Sequence, residues 1–236
     1  MDKERQVTFS VKFRSLTFYF LSIVMVLPFL LFLPFLLMPM RYITAVTNTY
    51  LRAQLWLLRA ICGVRYEVKG LANLPDAGCL IASQHESSWE TLYFQVLLDQ
   101  PVMFAKKEVF RYPLIGLLAR KIGHIPVDRT GSADAMRKGF QVGRKAALSG
   151  RKLLIFPTGT RTKQKETPLQ SGIGALYQLV NLSAVPVLLN SGQCWPANSL
   201  LKFPGTITVR LLPAIAPGMD RREFLVQLSK DLSEPT

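Results

Sequence analysis

The chain is 236 residues long, which suits one α/β domain with an appendage and is tight for two full domains. Its 29 Lys and Arg against 15 Asp and Glu leave a formal charge of +14, so its partner is anionic: nucleic acid, an anionic membrane or a phosphate-bearing substrate. Cys62, Cys79 and Cys194 are scattered, odd in number and form no CxxC, so neither a disulfide framework nor a zinc site is indicated and a reducing compartment fits best, and two histidines leave little material for a catalytic zinc site.

Residues 15–40 form a run of 26 positions without a charge, longer than the ~20 needed to cross a hydrocarbon core as a helix. A cleaved signal peptide competes with that reading because Lys3, Arg5, Lys12 and Arg14 precede the run, but the run is long and no small-x-small site follows it. Pro28, Pro34 and Pro39 each remove a backbone donor and predict bends. Residues 41–62 then place Ile43, Val46, Tyr50, Leu51, Leu55, Leu58 and Ile61 between arginines, the pattern of an interfacial amphipathic helix. The two segments predict a helical hairpin on one leaflet, so residues 1–62 read as a membrane-associated helical segment and 63–236 as the folded α/β domain. Basic residues flank the apolar run on both sides, which favours a re-entrant anchor or a weakly specified span.

After Gly63 the pattern changes. Strands are predicted at 64–68, 79–83, 102–106, 124–127, 152–156, 184–189 and 206–212, with helical stretches between several of them. One helix is expected over 133–149, with Ser132 as its N-cap and Asp134 in its first turn. This alternation predicts a single layered α/β domain with a largely parallel or mixed central sheet flanked by helices. Residues 190–205 read as a long connection. Residues 106–165 carry fifteen Lys or Arg against Glu108, Asp128 and Asp134, so one region of the fold is strongly electropositive. No nucleic-acid-binding signature, G-x-S-x-G elbow or Walker A loop occurs.

The chemistry concentrates in loops. In "SQHESSWETLYF" (83–94), His85 follows the strand at 79–83 and Glu90 comes five positions later. On one continuous helix an i, i+5 pair would lie ~140° apart, whereas His85 in a loop and Glu90 in the first helical turn can converge. Spacing alone leaves two readings open: a histidine satisfying a backbone carbonyl, or a base whose tautomer is set by a carboxylate. In "FPTGTR" (156–161), a glycine-bearing turn after a strand lets backbone N–H groups approach an anion, and Arg offers a bidentate fork to phosphate. His124 and Asp128 would be ~13 Å apart on a strand, so His124 reads as structural.

Taken with "KIGHIPVDRT" (121–130) and "AVPVLL" (184–189), these stretches make the chain from about residue 60 onward resemble the glycerolipid acyltransferase family, which includes the bacterial 1-acylglycerol-3-phosphate acyltransferases. The resemblance implies His85 as general base and Glu90 as its orienting partner. Arg129, Gly159, Thr160 and Arg161 would bind the acceptor phosphate. It implies transfer of a fatty acyl group from acyl-CoA or acyl carrier protein to the free hydroxyl of lysophosphatidate, giving phosphatidate for phospholipid synthesis. No cofactor and no metal are expected. The partners would be the thioester donor, the lysophosphatidate acceptor and an anionic membrane surface, with no nucleic acid, at the cytoplasmic face of a bacterial inner membrane. Two positions depart from the family pattern: Glu90 stands for the usual Asp and Thr158 for the usual Glu of the third block. Thr158 keeps open an acceptor that is another lysolipid or an amino-acid-derived lipid. The alternative of another class is a basic membrane-surface protein that binds lipid without chemistry.

Overall fold

The structure is a computed structural model and describes residues 6–31, 37–128, 133–161 and 168–235. In chain order the elements are α1 (Phe9–Leu31), α2 (Met40–Cys62), β1 (Val64–Lys69), β2 (Leu80–Ser83), α3 (Trp89–Leu97), β3 (Val102–Lys106), α4 (Pro113–Ile122), β4 (Ile125–Val127), α5 (Ala133–Leu148), β5 (Leu153–Ile155), α6 (Gly172–Val180), β6 (Ala184–Leu189), α7 (Ser191–Cys194), β7 (Gly205–Leu211) and α8 (Arg221–Leu232). All seven expected strands are present within a residue or so of their predicted ends. The N-cap proposed for α5, Ser132, lies outside the described residues, whereas Asp134 does occupy its first turn.

The strands form one sheet in the order β1-β7-β6-β2-β5-β3-β4. It is mixed: β6 and β7 pair antiparallel and β1 runs with β7, whereas β6, β2, β5, β3 and β4 run parallel. Side chains alternate between the two faces, as strand geometry requires. Ile81, Leu154, Val185 and Val187 join the core beneath α2 and α3, and Leu80, Leu153, Ala184 and Leu188 join the core beneath α5, α6 and α8. Helices on both faces explain why β6 is apolar at every position and fully buried.

One consequence of the strand order positions the site. The connection from β2 through α3 leads to β3 on one side, while that from β5 through α6 leads to β6 on the other. The chain thus departs in opposite directions from the adjacent strands β2 and β5. At such a switch point the loops after the two strands diverge and leave a crevice at their carboxyl ends.

The N-terminal pair forms a hairpin, in which the Ser22 hydroxyl donates to Gln54 Oε1 at 2.7 Å. Gly63 ends α2 in the left-handed conformation, φ 68°, a position that favours glycine. The face of α2 expected to meet a membrane interface is largely spent elsewhere. Ile43, Leu51, Leu55 and Leu58 are buried, and Leu55 and Leu58 join the core with Phe18 of α1. Amphipathicity specifies an apolar partner but not which one, and here much of it is protein. The outward face of α1 remains exposed at Phe9, Phe13, Leu16, Phe20 and Ile23. Over Phe9–Pro28 this helix is long and apolar enough to cross a membrane. Its inner face is fastened by Lys202, whose N–H donates to the Ser15 hydroxyl (2.8 Å) and whose ammonium donates to the Tyr19 hydroxyl (2.6 Å) while lying over the Trp195 ring. Burial pushes the Lys202 ammonium down to about 8.

His124 precedes β4, where its Nδ1 accepts the Met103 N–H at 3.3 Å. Asp128 instead pairs with Lys107 at 2.5 Å, so the two do not form a catalytic couple. Burial, and secondarily Arg151, lower His124 to about 4, and the folded chain holds it neutral. The unfolded chain takes up this proton below about pH 6.5, so the stability contribution is present above that pH and is lost as pH falls from 6.5 towards 4. Between pH 7 and 5 the wild type is expected to lose about 2 kcal/mol more than His124→Gln in chemical denaturation. Equal losses would show that His124 does not titrate in this way.

Candidate active site

The five residues between β2 and α3 fold around one carboxylate. Ser87 accepts the Trp89 N–H on its hydroxyl at 3.0 Å and so starts α3, which places Glu90 in the first turn. Glu90 then reaches back, its Oε1 accepting the N–H groups of Glu86 and Ser87 at 2.7 Å each, in the manner of a capping box. The same oxygen lies 3.0 Å from His85 Nδ1. Oε2 accepts the Ser191 hydroxyl at 2.7 Å. Glu90 is 0% exposed and His85 12% exposed by side chain, so the carboxylate is sealed while the imidazole keeps one open edge. Contact with the carboxylate places the proton on Nδ1, leaving Nε2 as acceptor. No group among the described residues bonds Nε2. The ring is held flat against Phe156, with centroids 4.0 Å apart and planes 17° from parallel.

Phe156 leads directly from β5 into the turn that carries the second expected cluster. Gly159 has φ 70°, and its N–H returns to the Phe156 carbonyl at 2.8 Å. A side chain would strain that conformation, which accounts for glycine at this point. Thr158 is buried and donates to the Thr160 carbonyl at 2.9 Å, so it ties the turn internally.

Both loops open on a cavity of about 750 Å³. Its polar lining includes His85, Lys106, Thr160 and Arg161, and its apolar lining includes Phe104, Val109, Met136, Phe140, Ile155 and Ile173. An imidazole acceptor, cations and a long apolar wall therefore share one space. Such an arrangement can take a proton from a substrate that carries both an anion and a hydrocarbon chain.

The structure brings His85, Gly159, Thr160 and Arg161 onto this cavity and places Glu90 behind His85. Arg129 lies outside the described residues, as does Glu166. Thr158 does not line the cavity, so the position that departs from the family pattern faces the turn. Glu86, the other carboxylate near His85 in sequence, accepts the Gly192 N–H at 3.0 Å. Three residues escaped the sequence reading. Lys106 was one of fifteen cations in its region, with nothing to single it out. Phe156 was read as the last residue of a strand. Ser191 fell within a stretch read as a connection, which begins with the one-turn helix α7.

Fold and site together define an α/β protein with a carboxylate-paired histidine at the carboxyl ends of parallel strands, on a cavity that it shares with cations and an apolar wall. Residues 65–190, more than half of the chain, match the family model described as Acyltransferase, and the chain belongs to that family. It is 33% identical over 171 residues to the 1-acyl-sn-glycerol-3-phosphate acyltransferase of Pseudomonas aeruginosa, a match covering 72% of this chain and 66% of that protein. To 1-acyl-sn-glycerol-3-phosphate acyltransferase beta of Homo sapiens it is 30% identical over 168 residues, covering 68% and 60%. The chain thus spans 66% and 60% of the length of these curated relatives, less than two thirds of either. The crystal structure of the 1-acyl-sn-glycerophosphate acyltransferase of Thermotoga maritima shares the fold, with TM-score 0.73 over 93% of this chain and 92% of that one at 18% identity.

Glu90→Ala is expected to destabilise the protein by about 3 kcal/mol, because it strands the buried Ser87 N–H, the part-buried Glu86 N–H and the buried Ser191 hydroxyl. Glu90→Gln should cost well under half of that, since its carbonyl can take the two N–H groups while its amide meets Ser191. Denaturation of the detergent-solubilised variants measures both. Equal stability of the two would mean that the loop does not depend on this acceptor.

Proposed function

We propose that this protein transfers a fatty acyl group from an acyl thioester, acyl-CoA or acyl carrier protein, to the free hydroxyl of 1-acylglycerol-3-phosphate, giving phosphatidate for phospholipid synthesis. The observation that carries this reading is the His85–Glu90 pair, held by Nδ1 beside the cavity that His85, Lys106 and Arg161 line. Family membership and the names of the relatives supply the reaction class and the acceptor.

In this mechanism His85 Nε2 accepts the proton of the acceptor hydroxyl as its oxygen attacks the thioester carbonyl. The resulting tetrahedral intermediate collapses with cleavage of the carbon–sulfur bond. The departing thiolate recovers the proton from the imidazolium, leaving an ester and a thiol. Glu90 holds the ring and offsets its transient positive charge. Transfer is direct in this reading: a covalent intermediate would need an activated thiol or hydroxyl, no cysteine lines the cavity, and among the described residues none of the lining hydroxyl residues Thr91, Thr160 and Ser171 bonds the His85 ring. Cys62, Cys79 and Cys194 are buried, and burial pushes Cys79 up to about 11. Arg161 and Lys106 receive the acceptor phosphate together with Arg129, and the apolar wall takes hydrocarbon.

Residues 1–62 serve as the membrane-associated segment and 63–236 as the catalytic unit in this reading. The apolar outward face of α1 and the chain's positive charge support association with an anionic membrane, at the cytoplasmic face of a bacterial inner membrane.

His85→Ala is expected to lower kcat by about 10²–10⁴-fold in an assay of thioester consumption with lysophosphatidate. Near-normal turnover would end the general-base role. Arg161→Ala should raise the acceptor KM by roughly 10- to 100-fold with little change in the donor KM, and Arg161→Lys should recover only part of it. An acceptor without the phosphate separates the possibilities, because wild type and variant should use it equally poorly. Equal proportional losses with both acceptors would remove Arg161 from phosphate binding.

A further inference from the structure

On the side away from His85, Glu90 meets the start of α7, just after β6. Ser191 follows that strand, is 0% exposed, and is the one donor that Glu90 Oε2 has among the described residues. Oε1 is already shared by His85 Nδ1 and the N–H groups of Glu86 and Ser87. The two oxygens therefore do different work: one faces the base and its loop, and the other faces the neighbouring strand. The terminal torsion of a glutamate is soft, so bonds to Oε1 alone leave the carboxylate free to rock about it. A donor fixed on the opposite oxygen removes that freedom.

The position of Ser191 is itself fixed by backbone. Ser83 of β2 is paired in register with Val187 of β6. Beyond that pair, the Gln84 N–H donates to the Val187 carbonyl at 3.0 Å, the Leu189 N–H to Gln84 Oε1 at 2.8 Å, and the Gly192 N–H to Glu86 Oε2 at 3.0 Å. These bonds stitch 84–86 to 187–192 on both sides of Ser191, so its hydroxyl arrives at Glu90 from a rigid mount.

We propose that Ser191 is a positioning residue for acyl transfer: from the exit of β6 it pins Glu90 Oε2, so that Oε1 stays aligned on His85 Nδ1 while Nε2 takes the hydroxyl proton. This rests on the reading of His85 as the general base. Ser191 does not line the cavity, so its effect falls on turnover and not on binding.

The test uses the full chain in detergent with lysophosphatidate and whichever acyl thioester the wild type consumes. It compares Ser191→Ala, Ser191→Cys, Glu90→Gln, the double variant Ser191→Ala/Glu90→Gln, and His85→Ala. Ser191→Ala should lower kcat by about 10- to 100-fold with both KM values within about twofold of wild type. In the Glu90→Gln background the same change should cost less than about twofold more, because the amide still meets Ser191 but carries no charge for that contact to align on the imidazolium. A role only in folding would not give that non-additivity. Should Ser191→Ala not fold, Ser191→Cys keeps nearly the same volume with a weaker donor, and its kcat should still fall by about threefold or more. Wild-type kcat in the folded Ser191 variant, with His85→Ala inactive, overturns the proposal and leaves the general base standing. Losses that multiply in the double variant overturn it too, since Ser191 would then act through something other than Glu90. Near-normal turnover in His85→Ala overturns the general-base reading and this proposal together.

Discussion

A carboxylate shut away from water must be met by hydrogen-bond donors, because an ionised group moved into the interior unpaired costs far more than any single contact recovers. Glu90 is in that position. Its donors come from two places in the chain: His85 and two backbone N–H groups from the adjoining loop after β2, and a hydroxyl from residue 191, distant in sequence. They meet only if β2 and β6 lie side by side with their carboxyl ends level, and only if α3 begins within a few residues of β2. The strand order, the tight loop and the orientation of the histidine are thus linked through one side chain.

The same sheet geometry lays out the rest of the site. β6, β2, β5 and β3 are consecutive and parallel, so their carboxyl ends bring Ser191, His85, the turn at 156–161 and Lys106 to one edge. Lateral strand spacing is about 4.8 Å, which keeps groups from adjacent strands within reach of one substrate. The apolar part of the cavity is built from β3 and β5 with α5 and α6 above them. Lys106, Arg161 and the apolar wall are therefore supplied along β3 and β5, whereas His85 comes from the end of β2 between β5 and β6.

The positive charge of 106–165 is put to more than one use. Arg151 donates to the carbonyls of Gln100 and Ile122, Lys152 to that of Asp76, and Lys107 pairs with Asp128. Those cations hold the connections around β3, β4 and β5 together. Lys106 and Arg161 line the cavity. A regional charge excess thus overstates the number of groups that line the cavity, because guanidinium and ammonium groups also tie loop carbonyls. The N-terminal helices divide in a similar way: α1 keeps an apolar face outward at Phe13, Leu16 and Phe20, whereas α2 turns Leu55 and Leu58 into the core.

Much of this was legible without coordinates. Strand positions follow from short apolar, β-branched runs bounded by turn residues, and the alternation of strands with helices leaves few layer architectures open. The His85–Glu90 couple was readable because a strand, a short loop and a helix start fall in order within a dozen residues, so local geometry alone brings the two side chains together. Other features depended on contacts that no local pattern encodes. The burial of α2, the reversal of β7 against β6, the selection of Lys106 from a basic stretch, and the meeting of Ser191 with Glu90 across 101 positions of sequence were decided by tertiary packing. Periodicity in a sequence reports that a face is apolar and local order reports which residues share a turn. Which distant surface covers that face, and which distant hydroxyl satisfies a buried charge, is set only when the strands take their places in the sheet.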